Sequence, residues 1–169
     1  LCVAVPIAEA CAAPAMLATA RERLARFGVA LVLDRLDPHA LVATRPEALG
    51  ADMLRVAWAP ALLRWPEPAQ AALHAAVARI GAERIVLTGA DTEAAIGWGR
   101  AAGLCLFEGR HVDSMLAATR LLACPHAAQC GLLACAERAA GTQPAGRAGC
   151  RNPGLLDQAT PFATLARAA

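Results

Sequence analysis

The chain has 169 residues, a net charge of +2 and an apolar fraction of 57%, which suits one domain with a buried core. Aromatics are only 4% and tyrosine is absent, so the stacking platforms of a nucleic-acid binder are missing, and no basic run is present to follow a phosphate backbone. No apolar run reaches the roughly 18 residues of a membrane-spanning helix, so direct membrane insertion is not expected.

Leu1–Leu17 is apolar in the manner of a signal peptide, but it has no basic n-region and Glu9 interrupts it. The chain opens on Leu1 rather than Met, as a piece of a longer protein would. Seven cysteines are an odd number and cannot all pair within one monomer. With no leader signal, the expected compartment is the cytoplasm, where clustered cysteines more often bind metal than form disulfides.

In chain order, Leu1–Ile7 reads as a strand. Pro14–Phe27 reads as an amphipathic helix stopped by Gly28, and Val29–Leu33 as a strand buried on both faces, followed at once by Asp34. Asp37-Pro38-His39 starts a turn. A short helix over Pro46–Leu49 ends at Gly50, and Met53–Trp58 is the next strand. Pro60, Pro66 and Pro68 mark a loop that leaves Trp58 and Trp65 exposed, as core lids or as partner anchors. Ala69–Ile80 is a helix closed by Gly81, and Ile85–Leu87 a strand. Asp91-Thr92-Glu93 opens a helix running to Ala102, Leu104–Phe107 is the last strand and Asp113–Leu122 a final helix. Strict alternation of short apolar strands with helices predicts an α/β fold of βα units on a parallel sheet, with functional side chains just beyond the C-terminal strand ends. About five units are visible against the eight of a closed barrel, so the expected form is a partial TIM-barrel-like sheet over residues 1–122, with a Cys-rich extension over 123–169.

The order of segments resembles that of EAL domains, the cyclic di-GMP phosphodiesterase family. Arg26-Phe27-Gly28-Val29-Ala30-Leu31-Val32-Leu33-Asp34 resembles the stretch ending in Asp-Asp-Phe-Gly, and Ala51-Asp52-Met53-Leu54-Arg55-Val56 the Val-Asp-x-Leu-Lys-Ile-Asp strand. Ile85–Glu93 is similar to Val-Val-Ala-Glu-Gly-Val-Glu-Thr-Glu, and Gly103–Gly109 to Gly-Cys-Asp-x-x-Gln-Gly. Leu1–Ile7 fits the Leu-Glu-Ile-Thr-Glu strand. The likeness covers the C-terminal part of the barrel, without the Glu-Ala-Leu signature. It implies a barrel that holds two divalent ions on strand-end carboxylates and activates water for attack on phosphorus.

Most of those carboxylates are replaced. The first-strand Glu position is Ala4, the second Asp of the Asp-Asp pair is Arg35, and the Asp after the lysine is Ala57. The later Glu is Thr88, the catalytic lysine position is Arg55, and the late glutamine is Glu108. Asp34 remains, and one carboxylate cannot hold two divalent ions. The resemblance therefore implies a degenerate, catalytically inactive domain serving as an interaction or regulatory scaffold, with a protein partner or a homo-oligomer. The alternatives are a non-hydrolysing binder of cyclic di-GMP or another phosphate ligand, using Asp34, Arg35, Arg55, Glu108 and Arg110, and a residual phosphodiesterase. Against ligand binding, Arg35 is expected to pair with Asp34 or Asp37, and Arg110 with Glu108 or Asp113, as ordinary rim ion pairs.

Beyond the barrel-like part, Cys124, Cys130, Cys135 and Cys150 follow a C-x5-C-x4-C-x14-C spacing, with His126 as a spare ligand. Four readings stay open. The thiols are buried small hydrophobes, a structural zinc site, an iron–sulfur site behind zinc, or disulfides in an oxidising compartment. Cys2, Cys11 and Cys105 sit on or near core segments and are expected to pack there. His39 and His74 have no orienting partner at ligand spacing and are expected to be ordinary packing or surface residues. Asp157–Ala169 is an alanine-rich tail that docks as a short helix or frays.

Overall fold

Five apolar strands and the helices between them make up the first of two compact units, Leu1–Gly109; the second is Arg110–Ala169. The structure is a computed structural model and describes residues 1–141 and 143–157. The strands are β1 (Cys2–Pro6), β2 (Ala30–Leu36), β3 (Met53–Ala57), β4 (Ile85–Thr88) and β5 (Leu106–Glu108). All pair in parallel, in the order β1-β2-β3-β4-β5. The sheet is open, an α/β arrangement of βα repeats.

Strictly sequential order has a consequence for layering. Parallel crossovers are right-handed, so a chain that always advances in one direction lays every crossover helix on the same face of the sheet. Side-chain burial follows this. Leu31, Leu33, Leu54, Val56, Ile85 and Leu87 alternate along β2–β4 and join one core with Leu17, Leu73 and Val77 of the helices. Met53, Val86 and Leu106, which point the other way in the same registers, stand outside that core and are half-buried.

The helices of this unit are α1 (Ile7–Ala12), α2 (Pro14–Arg26), α3 (Pro38–Ala43), α4 (Glu67–Ile80) and α5 (Glu93–Ala101). Their ends follow local chemistry. The Asp37 carboxylate accepts from the His39 N–H at 2.7 Å, so the expected turn is the cap of α3. The Thr92 hydroxyl caps α5 by accepting from the Ala95 N–H at 3.3 Å. Asp52 stitches β2 to the approach of β3, accepting from the Leu31 N–H at 2.7 Å and returning its own N–H to the Leu31 carbonyl at 2.8 Å.

Several sequence expectations change. The second strand extends past Leu33 and takes in Asp34, with a register shift between Leu33 and Leu36 where Arg35 has φ 58°. An extra residue accommodated in this way re-aims the strand end. Trp65 is buried, not exposed: it packs in the core with the His39 ring at 4.4 Å and the Trp98 ring at 6.4 Å. Trp58 is half-buried against the same core. Cys2, Cys11 and Cys105 are exposed rather than packed. His74 has a partner after all, its Nε2 lying 2.5 Å from the Ala101 carbonyl.

The second unit contains α6 (Arg110–Leu122) and α7 (Leu132–Ala140), joined and followed by short 3-10 turns at Ala127–Gln129, Pro144–Arg147 and Pro153–Leu155. The boundary thus falls at Gly109 and α6 goes with the Cys-rich segment, although its periodicity continued that of the preceding βα units. Its core is small: Ala117, Cys135 and Leu156, flanked by Leu121, Cys130 and Cys150. The expected tail helix lies outside the described residues apart from Asp157, whose carboxylate pairs with Arg147 at 2.5 Å.

Glu47 ties the turn before β3 to α4 through Arg79 at 2.7 Å. Burial alone would raise its pKa, but the Arg79 hydrogen bond and the Arg79 and Arg45 charges outweigh burial and hold the carboxyl below its ordinary value. A folded-state pKa below the unfolded one contributes stability above the unfolded value, and that contribution disappears as pH falls through the folded value. Glu47→Gln should therefore lower stability at neutral pH by up to about 1 kcal/mol, a small figure because Arg79 is solvent-accessible. The deficit should vanish in the acid limb below about pH 4, as read by urea titration.

Two glycines give a paired test. A Cβ at Gly109 would stand 2.5 Å from the Ala90 carbonyl carbon and 2.6 Å from its nitrogen, both backbone atoms that cannot yield. Gly97, inside α5, has nothing within 4 Å of its added Cβ. Gly109→Ala should destabilise by about 1–3 kcal/mol, and Gly97→Ala should stabilise by about 0.5–1 kcal/mol. Thermal denaturation of the two variants should shift in opposite directions.

Candidate functional site

The C-terminal ends of the parallel strands carry the residues singled out from sequence. Register places Ala57 beside Thr88 and Thr88 beside Glu108. Asp34 and Arg55 share that face, two residues beyond the paired Val32 and Met53. Asp34, Thr88 and Glu108 thus lie together at one edge of one face, as expected.

Arg55 organises the edge. From β3 its guanidinium reaches Asp34 of β2 at 3.3 Å and also donates to Glu108 of β5. Thr88 turns its hydroxyl back to the Val56 carbonyl at 3.3 Å, so it offers no carboxylate-like ligand there. The expected pairings differ from these. Asp34 pairs with Arg55, not Arg35, because Arg35 occupies the irregular position of β2 and is exposed, with no ion pair among the described residues. Arg110 belongs to the second unit, as the first residue of α6. Within the first unit it is Arg55, not Arg35, that engages Asp34 and Glu108 among the described residues. The Asp37 carboxylate is occupied as the α3 cap.

This bridge was missed from sequence because its partners are far apart in the chain and each had a nearer candidate. The signal was there in the spacing: a β3 residue of the same facing parity as Asp34 and Glu108 is central to both. Chemically, the arrangement neutralises two carboxylates with one permanent cation. It presents no open pair of acids for divalent ions.

A second constellation lies wholly in the second unit. Cys124, His126, Cys130, Cys135 and Cys150 line a single cavity of about 50 Å³ together with Arg138. Only Cys135 lies on a helix, α7; Cys130 closes a 3-10 turn, and Cys124 and Cys150 lie in turns. All seven cysteines are free thiols. Cys135 is buried, and burial pushes its thiol pKa up, with the neighbouring Cys130 thiol adding to the effect, Arg120 opposing it, and Cys150 and Cys124 adding further. Arg138 donates to the Cys130 Sγ at 3.1 Å, a contact no spacing argument had indicated. As placed, no three His, Cys, Asp or Glu side chains among the described residues stand close enough to hold one metal ion. No helix among the described residues is long and apolar enough to cross a membrane.

In comparison with known proteins, the chain matches no family model, no curated protein and no solved structure.

The Arg55 bridge is testable by a double-mutant cycle. Its members are partly exposed, so each pair should contribute about 0.5–1 kcal/mol at low ionic strength. Arg55→Gln should cost more than either Asp34→Asn or Glu108→Gln, since it leaves two acids facing each other. Raising salt to about 1 M should remove most of the coupling. A coupling energy indistinguishable from zero at low salt would mean that the bridge does not persist in solution.

Proposed function

We propose that this chain is a degenerate EAL-like domain whose strand-end site is not catalytic and which acts as a protein-interaction or regulatory scaffold in cyclic di-GMP signalling in the bacterial cytoplasm. The observation that carries this reading is the Arg55 bridge. Where the resemblance implies metal-holding carboxylates, the two acids that face the strand edge are paired with an arginine. Arg35, which cannot lose its charge, stands where the resemblance implies a second carboxylate and would repel a divalent cation there. The positions Ala4, Ala57 and Thr88 supply no replacement ligand.

The scaffold role is supported by what the first unit leaves uncovered. β1 is an edge strand, and its Val3 side chain is 39% exposed. Leu1 and Phe27 are almost fully exposed near its start, where the Ala30 N–H is bonded to the Leu1 carbonyl. An apolar parallel edge is a template for a further strand. The partner is a protein, or a second copy of the chain, that pairs with this edge and covers those side chains.

A second reading, a non-hydrolysing binder of cyclic di-GMP or another phosphate ligand, draws on Arg35, which is exposed at the same strand end without an ion pair among the described residues. Calorimetric titration with cyclic di-GMP decides between the two. The scaffold reading expects no heat of binding, and the binder reading expects micromolar or tighter affinity that Arg35→Ala abolishes.

Hydrolysis provides the direct test. With magnesium or manganese, cyclic di-GMP should remain intact on incubation with the purified chain. Turnover approaching the ~1 per second of ordinary enzymes would overturn the proposal. Val3→Lys should in addition weaken partner binding or self-association about tenfold or more in sedimentation, without lowering the melting temperature, because an edge lysine blocks strand addition.

A further inference from the structure

Among its described residues the second unit buries few apolar side chains: Val112, Ala117, Cys135 and Leu156, while Leu122, Leu132 and Leu133 are exposed. Segments this short with so little buried area ordinarily need disulfides, a metal or a partner to stay folded. The cysteines are free thiols. The stretch around Gly141–Gly149 is rich in glycine and has few side chains to bury; among its described residues Arg147 donates to the Gly141 carbonyl at 2.7 Å.

We propose that Cys124, Cys130, Cys135 and Cys150 bind one zinc ion that orders the second unit, a structural site independent of the strand-end reading of the first unit. Four thiolates form the donor set of closed structural zinc sites, and the imidazole of His126 lies on the same cavity. The sulfurs are not within ligating distance as placed, so binding requires them to close in. Three of the four are on turns that can follow the ion, and only Cys135 is anchored on a helix and in the core.

Charge supports the same choice. A zinc ion with four thiolates carries a net double negative charge, which is costly in a partly buried place unless compensated. Two arginines are available. Arg138 donates to the Cys130 sulfur, and Arg120 lies on α6 of the same unit. Arg120 Nε is itself buried with no hydrogen-bond partner among the described residues. Donors to ligating sulfur are the outer-shell contacts that orient and tune such sites. Binding releases the thiol protons to solvent and involves no electron transfer.

The full chain, purified under reducing conditions without chelator, should contain one zinc per chain by elemental analysis. X-ray absorption should show sulfur neighbours at about 2.3 Å. Replacing zinc by cobalt should give the intense visible absorption of tetrahedral thiolate coordination. Cys150→Ser should lower zinc affinity at least tenfold, and removing the ion should increase hydrogen exchange and proteolysis within residues 110–157 while residues 1–109 keep their protection. Should Cys150→Ser fail to fold, the cobalt spectrum and metal content of the wild-type chain still decide the matter. A chain that stays metal-free after incubation with zinc, with all thiols titratable, overturns the proposal, and so does iron with acid-labile sulfide, or mass spectrometry showing these cysteines joined as disulfides.

Discussion

The handedness of parallel crossovers governs the first unit. Because each strand is added on the same side of the previous one, all helices are committed to one face. This sorts the strand residues into two populations. Alternate leucines, isoleucine and valines enter the core with the helices, and the intervening residues are left to the opposite face. Asp34, Arg55, Thr88 and Glu108 belong to the second population. In-register pairing of neighbouring parallel strands sets them on that common face.

Much of this was legible from local pattern. Continuous apolar runs and their glycine stops located β2, β3, β4 and α4 closely, since a strand in a helix-covered parallel sheet needs nothing more elaborate. Legibility failed where a long-range contact overrides a local signal. Trp65 lies between prolines and suggests a surface loop, yet His39 and Trp98, far apart in the chain, enclose it. Cys2, Cys11 and Cys105 sit among apolar neighbours, but composition does not tell which side of an edge strand or helix faces water. The strand bearing Asp34 continues beyond its apolar run because an irregular residue at Arg35 lets the pairing resume at Leu36.

The two candidate sites differ in the same respect. At the strand edge, parity placed Asp34, Arg55, Thr88 and Glu108 on a common face, but the guanidinium's choice of partners depended on three strands at once. In the Cys-rich unit, spacing picked out Cys124, Cys130, Cys135 and Cys150, and these line one cavity. The arginines that accompany them could not be seen, because Arg138 reaches Cys130 across a helix and a turn. Sequence spacing constrains which backbone segments meet; the polarity around them is set by side chains with no motif of their own.

The contrast between the two cores bears on how the molecule comes apart. The first unit has a continuous interior spanning β2 through β4 and their helices, and such an interior melts as one cooperative block. The second, among its described residues, buries only Val112, Ala117, Cys135 and Leu156, too few to couple its turns tightly. Heating or denaturant acts on two blocks of very unequal enthalpy, so a single midpoint would not describe this chain. A calorimetric enthalpy exceeding the van't Hoff value is the thermodynamic signature of that architecture, and far-ultraviolet signal change should lag behind the first loss of order near the cysteines.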